Sequence, residues 1–195
     1  MFPVFLALKD RRVLLVGGGP VAAGKLRALL DAGAQVVVVA PEIHPDIAAS
    51  PVTVFTRPFE SADLDGCWYV VAAAPHEVNA QVARQATARG IFVNAVDDVD
   101  NATAYAGAIL RRGGVTIAVS TDGEAPALAG LVREALEELL PVEIGGWMTV
   151  AREARRRWLA EGVAMDQRRP LLLEALVTLY ERRGAGLTGE QRGTL

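Results

Sequence analysis

Apolar and polar positions fall in blocks along this chain. Short continuous apolar runs, Val13 to Val16, Val36 to Ala40 and Trp68 to Ala74, are separated by longer stretches in which apolar residues recur every three or four positions. Runs of that length are what strands buried on both faces of a parallel sheet require, and the intervening period is that of amphipathic helices. The pattern predicts strands at 13–16, 36–40, 52–55, 68–74, 91–96 and 115–119. One helix between them carries Ala22, Leu26, Leu29 and Leu30 on a single face and ends at Gly33; another carries Val78, Val82 and Ala86 and closes at Gly90. Strands alternating with helices imply right-handed crossovers and an α/β fold with a parallel sheet.

After residue 119 only the helical period remains. Leu128, Leu131, Ala135, Leu136 and Leu139 form one stripe on a helix predicted over 127–140 and stopped by Pro141. Further helices are predicted over 142–160 and 170–183, the latter with Pro170 in its first turn, and the glycine-rich stretch 184–195 is expected to be a disordered tail. A domain boundary is expected near 100–114.

Composition narrows the function classes. With 195 residues and 51% hydrophobic composition the chain can bury a full core without disulfides or metal. Its apolar runs are far shorter than the roughly 20 residues of a membrane-spanning helix, and the N-terminus has no secretory pattern, so a cytoplasmic protein is expected. A net charge of −3 argues against nucleic acid as a partner. The single cysteine, Cys67, is expected to be buried beside Trp68, and no Cys/His spacing suggests a metal site. Arginines are concentrated late in the chain, at Arg152, Arg155, Arg156, Arg157, Arg168 and Arg169, where they read either as a solvated helix face or as partners for carboxylates or phosphates.

The chemistry-bearing motif is VLLVGGGPVAAGK, Val13 to Lys25. Placed between a strand and a helix it fits G-x-G-x-x-A: Gly17 permits the sharp turn, Gly19 lets backbone approach a pyrophosphate, and Ala22 lets the helix lie close to the sheet. Amides at the helix start then face the phosphates. The acid usually found at the tip of the second strand is missing; Ala40 and Pro41 stand there, with Glu42 beyond them. No arginine occupies that tip to receive a 2′-phosphate, which favours NAD over NADP.

A second feature is NAVDDVDN, Asn94 to Asn101, at the carboxyl end of the fifth strand, where an open α/β sheet forms its ligand crevice. Asp97, Asp98 and Asp100 are open to three readings: a metal ligand, though no His or Cys is nearby, a general base, or a loop acid that caps the turn or faces water. His44 is expected to be exposed in its loop; His76 follows the fourth strand, where it either lines the crevice or has no role, and it is not counted among the site residues.

Taken together, FPVFLALKDRRVLLVGGGPVA, KLRALLDAGAQVVVVAP, VNAVDD and VTIAVSTDGEAPALAGLVREALEELLP, in that order, resemble the precorrin-2 dehydrogenase family of siroheme biosynthesis. Some members of that family also insert iron. The resemblance implies an NAD-binding Rossmann domain over 1–112, a dimerisation region over 113–145 and a helical domain over 146–183. It further implies a homodimer with the tetrapyrrole precorrin-2 in a cleft between domains. Carried over by position, Pro20, Val21, Pro41 and Glu42 contact NAD, and Asp97 aligns with the family's catalytic aspartate, serving as a base. Thr121 falls where relatives carry a substrate-site serine. The many carboxylates of such a substrate give Arg111 and Arg112, or the Arg152 to Arg157 cluster, a partner. The departures are Gly107, Asp122, Glu124 and Ala125, which bear on substrate contact and on metal insertion. An NAD-sensing regulatory domain without turnover is the alternative.

Overall fold

The computed structural model describes residues 1–190, with side chains described as far as residue 177. The chain divides into two compact units: residues 1–107 with 120–125, and residues 108–119 with the chain from Pro126 on.

The first unit holds the strands β1 (Arg12–Val16), β2 (Gln35–Val39), β3 (Thr53–Phe55), β4 (Tyr69–Ala72) and β5 (Phe92–Ala95). They are all parallel, in the order β3-β2-β1-β4-β5. The helices are α1 (Pro20–Asp31), the short α2 (Pro45–Ala48) and α3 (His76–Thr87). Side chains alternate across the sheet, so each apolar run supplies both faces at once. Leu14, Val16, Val37, Val70 and Val93 pack with Val82 and Ala86 of α3 on one face. Val13, Leu15, Val36, Val38 and Val71 pack with Ala22, Leu26 and Leu29 of α1 on the other. Each such Leu or Val contributes about 1.5–3 kcal/mol by leaving water.

The connection from β3 to β4 is fixed by polar contacts. Arg57 donates to both carboxylate oxygens of the buried Asp63, at 2.9 and 2.6 Å, and the amide of Glu60 adds a third bond at 2.8 Å. Those hydrogen bonds, led by Arg57, hold the Asp63 carboxyl below its ordinary range although burial opposes them. Cys67 is buried, and Trp68 lies exposed under the Arg11 guanidinium, 3.7 Å from the ring centre.

The second unit starts with a strand that the apolar pattern does not predict. β6 (Ala108–Arg112) pairs antiparallel with β7 (Val115–Val119) through a turn at Gly113 and Gly114, both at positive φ. A two-residue hairpin turn with positive φ at both central positions is the type that favours glycine at each, and two glycines stand there. Then come α4 (Pro126–Leu139), α5 (Ile144–Glu161) and α6 (Met165–Glu190). Pro170 lies inside α6 rather than in its first turn, because the helix already starts at Met165, with Asp166 in its first turn. The helix continues past Arg183 to Glu190; residues 191–195, the remainder of the expected tail, lie outside the described residues. Among the described residues no helix is long and apolar enough to cross a membrane.

Candidate active site

The strand order reverses direction between β1 and β4, and the carboxyl ends of those strands form the crevice where such sheets bind ligands. β1 runs directly into Gly17, Gly18 and Gly19. Gly17 has φ +128, and a Cβ there would overlap the carbonyl of Ala73 beyond β4. A Cβ on Gly18 would overlap the carbonyl of Glu42. A Cβ on Gly19, by contrast, would meet nothing within 4 Å. Two of the glycines are therefore demanded by the protein's own packing, and the third keeps a space in front of α1 empty.

Gly19 caps α1, Pro20 opens it, and its first helical bond runs from Ala23 N to Gly19 O at 3.0 Å. The amides of Gly18, Gly19, Val21 and Ala22 therefore have no hydrogen-bond partner among the described residues. They stand at the positive end of the helix dipole. This combination fits a pyrophosphate. Val21 is exposed beside the turn, while Ala22 is fully buried against the sheet, as close helix–sheet packing requires.

The loop after β2 folds onto the same turn. The His44 amide donates to Gly18 O at 2.7 Å, and Pro41 and Glu42 are exposed next to it. Glu42 thus flanks the glycines even though it lies beyond the usual position of the ribose-binding acid.

On the other side of the turn is a cavity of about 290 Å³, lined by Val21 from α1, Ala73 and Ala74 after β4, His76 and Asn79 of α3, and residues 96–98 after β5. The three neighbouring acids have separate environments. Asp97 is exposed in this cavity, with its backbone in the left-handed region at φ +54. Asp98 is buried and already partnered, accepting from Asn101 Nδ2 at 2.9 and 3.0 Å and lying 2.9 Å from His76 Nδ1. Asp100 belongs to a different hollow, with Arg84 and Thr87. The buried Asn79 holds the wall open by accepting from the Ala74 amide at 3.1 Å.

The other expected residues lie as follows. Thr121, grouped with the first unit, accepts from Ala125 N through its hydroxyl at 3.2 Å, which closes the turn before α4 and leaves the hydroxyl proton free to donate. Arg111 is exposed on β6. Arg112 donates to the carbonyls of Glu137, at 2.7 Å, and Leu140 at the end of α4, where the helix dipole favours a cation. Arg152, Arg155, Arg156 and Arg157 are exposed on α5. Gly18, Asn79 and the His76–Asp98 pair are site features that the motif reading does not contain. Gly18 had a signal in the run of three glycines; the other contacts join residues distant in sequence.

Residues 4–108 match a family model described as "Putative NAD(P)-binding", more than half of the 195 residues. The chain belongs to this NAD(P)-binding family. Residues 112–139 of this family member also match a model described as "Sirohaem biosynthesis protein central". Siroheme synthase 1 of Aeromonas salmonicida is 43% identical over 172 residues, which are 86% of this chain and 37% of that protein. A siroheme synthase of Escherichia coli is 40% identical over 172 residues, 86% of this chain and 38% of its own length. The chain thus spans a little over a third of these relatives. A solved structure titled "SirC, precorrin-2 dehydrogenase" superposes with a TM-score of 0.69 at 26% identity, covering 89% of this NAD(P)-binding chain and 88% of its own.

Proposed function

We propose that the chain is an NAD-dependent precorrin-2 dehydrogenase, oxidising precorrin-2 to sirohydrochlorin in siroheme biosynthesis. The observation that carries this reading is the exposed Asp97 in a cavity also lined by Val21, which belongs to the helix with unpartnered amides among the described residues. The siroheme synthases and the precorrin-2 dehydrogenase among its relatives supply the substrate.

Gly17, Gly18 and Gly19 leave backbone within reach of a pyrophosphate, and the amides of Gly18, Gly19, Val21 and Ala22 donate to it. Pro20, Val21 and Pro41 line the dinucleotide, and Glu42 accepts from a ribose hydroxyl. NAD, when bound, supplies the hydride acceptor. Asp97 takes the proton that the macrocycle loses. Thr121 donates its free hydroxyl proton to the substrate. Arg111 and Arg112 answer the substrate's carboxylates, Arg111 with the freer head because Arg112 is tied to α4. The protein acts in the cytoplasm as a homodimer, a reading supported by the apolar residues that α4 exposes.

The test is anaerobic mixing of protein, NAD and enzymatically made precorrin-2. Wild type should form NADH and sirohydrochlorin. Asp97→Asn keeps a residue type that tolerates positive φ, so its fold and NAD affinity should persist while turnover falls roughly 100-fold or more. Wild-type rates in that variant would remove Asp97 from the mechanism. Tight NAD binding without any turnover by the wild type would favour a nucleotide sensor instead.

A further inference from the structure

The cavity contains a second proton-handling group with its own orienting partner. His76 opens α3, and its Nδ1 lies 2.9 Å from Oδ2 of Asp98. The two side chains differ sharply in exposure, 69% for His76 and 6% for Asp98. Both Asp98 oxygens also accept from Asn101 Nδ2, so the carboxylate is fixed before the imidazole reaches it. An ionised carboxylate only accepts, so a proton shared between the two sits on Nδ1, and a neutral ring so arranged keeps its lone pair on Nε2. A buried carboxylate that fixes the tautomer of an accessible imidazole is the base-and-orienter part of many catalytic sets. Of the other charged groups nearby, Asp97 lines the same cavity and Glu77 follows His76 on the helix, while Val21, Ala73, Ala74 and Asn79 carry no charge.

We propose that His76, oriented by Asp98, is the proton relay of this site, accepting on Nε2 the proton that Asp97 takes from the substrate and passing it to water. The proposal rests on the dehydrogenase reading. The balance is simple: the substrate gives up one hydride, with its electron pair, to the oxidised nicotinamide dinucleotide and one proton to Asp97. That proton then bonds to Nε2, which restores the Asp97 carboxylate and makes an imidazolium facing Asp98. It leaves to solvent before the next turnover.

The chain has two histidines, so in a His44→Gln background the imidazole nitrogen spectrum reports His76 alone, without substrate or cofactor. At neutral pH the Nδ1-protonated form should dominate, and Asp98→Asn should abolish that preference. His76→Ala, at an exposed position, should melt and bind NAD like wild type, lose turnover by about tenfold or more, and recover part of it when free imidazole is added. His76→Gln should lose as much without a folding change. An Nε2-protonated ring in the otherwise native protein, a His76→Ala rate equal to wild type, or a loss that imidazole does not restore would each overturn the relay. If the native protein itself does not oxidise precorrin-2, the dehydrogenase reading falls and the relay with it. Native turnover with an unaffected His76→Ala removes the relay alone.

Discussion

The three adjacent glycines separate what the fold needs from what a ligand needs. A side chain at Gly18 would collide with the Glu42 carbonyl, so Gly18→Ala must displace the loop after β2, at a cost of about 1–3 kcal/mol typical of overpacking. The thermal midpoint should fall accordingly. Gly19 faces open space and has φ −85, a conformation any residue adopts. Gly19→Val should therefore melt like wild type yet lose NAD binding, because its side chain occupies the space before the α1 amides. Calorimetric titration with NAD checks this, and unchanged affinity would reduce the glycine run to a turn. Asp97 shows the converse: its left-handed backbone, in the turn that follows β5, is a conformation that costs most residues energy, and it falls at a residue lining the cavity.

At the scale of elements, stability and site formation rest on different contacts. The β3–β4 connection depends on Asp63, whose carboxyl titrates lower in the folded chain than when unfolded, chiefly through its hydrogen bonds from Arg57. A lowered folded value means that the stabilisation is complete above the unfolded value of about 3.9 and is lost as pH falls through the folded one. Asp63→Asn should lower the melting temperature at neutral pH and flatten its decline below about pH 4. Circular dichroism melts at a series of pH values would show an undiminished acid decline if Asp63 were not responsible. Three of the parallel strands, β1, β2 and β4, were legible in the sequence because each lies in a continuous apolar run, and the glycine turn because its chemistry is local: strand, glycines and helix follow one another. β6 was not legible, since AILRR has only three consecutive apolar residues and ends in two arginines, one exposed and one tied to the end of α4. His76 and Asp98 were illegible as a pair for a related reason. They meet only when β4 and β5 lie side by side, which brings the start of α3 to the loop beyond β5.

For the whole molecule, the decisive feature is a stripe that the sequence predicts and one copy of the chain does not cover. Of the α4 residues only Ala129 is buried, while Leu128, Leu131 and Leu139 are exposed, Leu131 to 63% and Leu139 to 78%. Val142, just beyond, is exposed as well. A contiguous apolar face on a helix is uncommon on a monomer's surface and marks a contact. A second copy of the same face is the simplest occupant, because a two-fold interface is self-complementary. The residues involved fall mostly within the segment that matches the sirohaem central family, 112–139, which also occurs in the longer siroheme synthases. Leu131→Asp should then convert a dimer into a monomer on light scattering at micromolar concentration. Because Leu131 contributes little to the fold of one chain, its far-ultraviolet spectrum and NAD affinity should be unchanged. A wild type that already runs as a monomer would leave the stripe without this partner, and a dimeric Leu131→Asp would move the interface elsewhere.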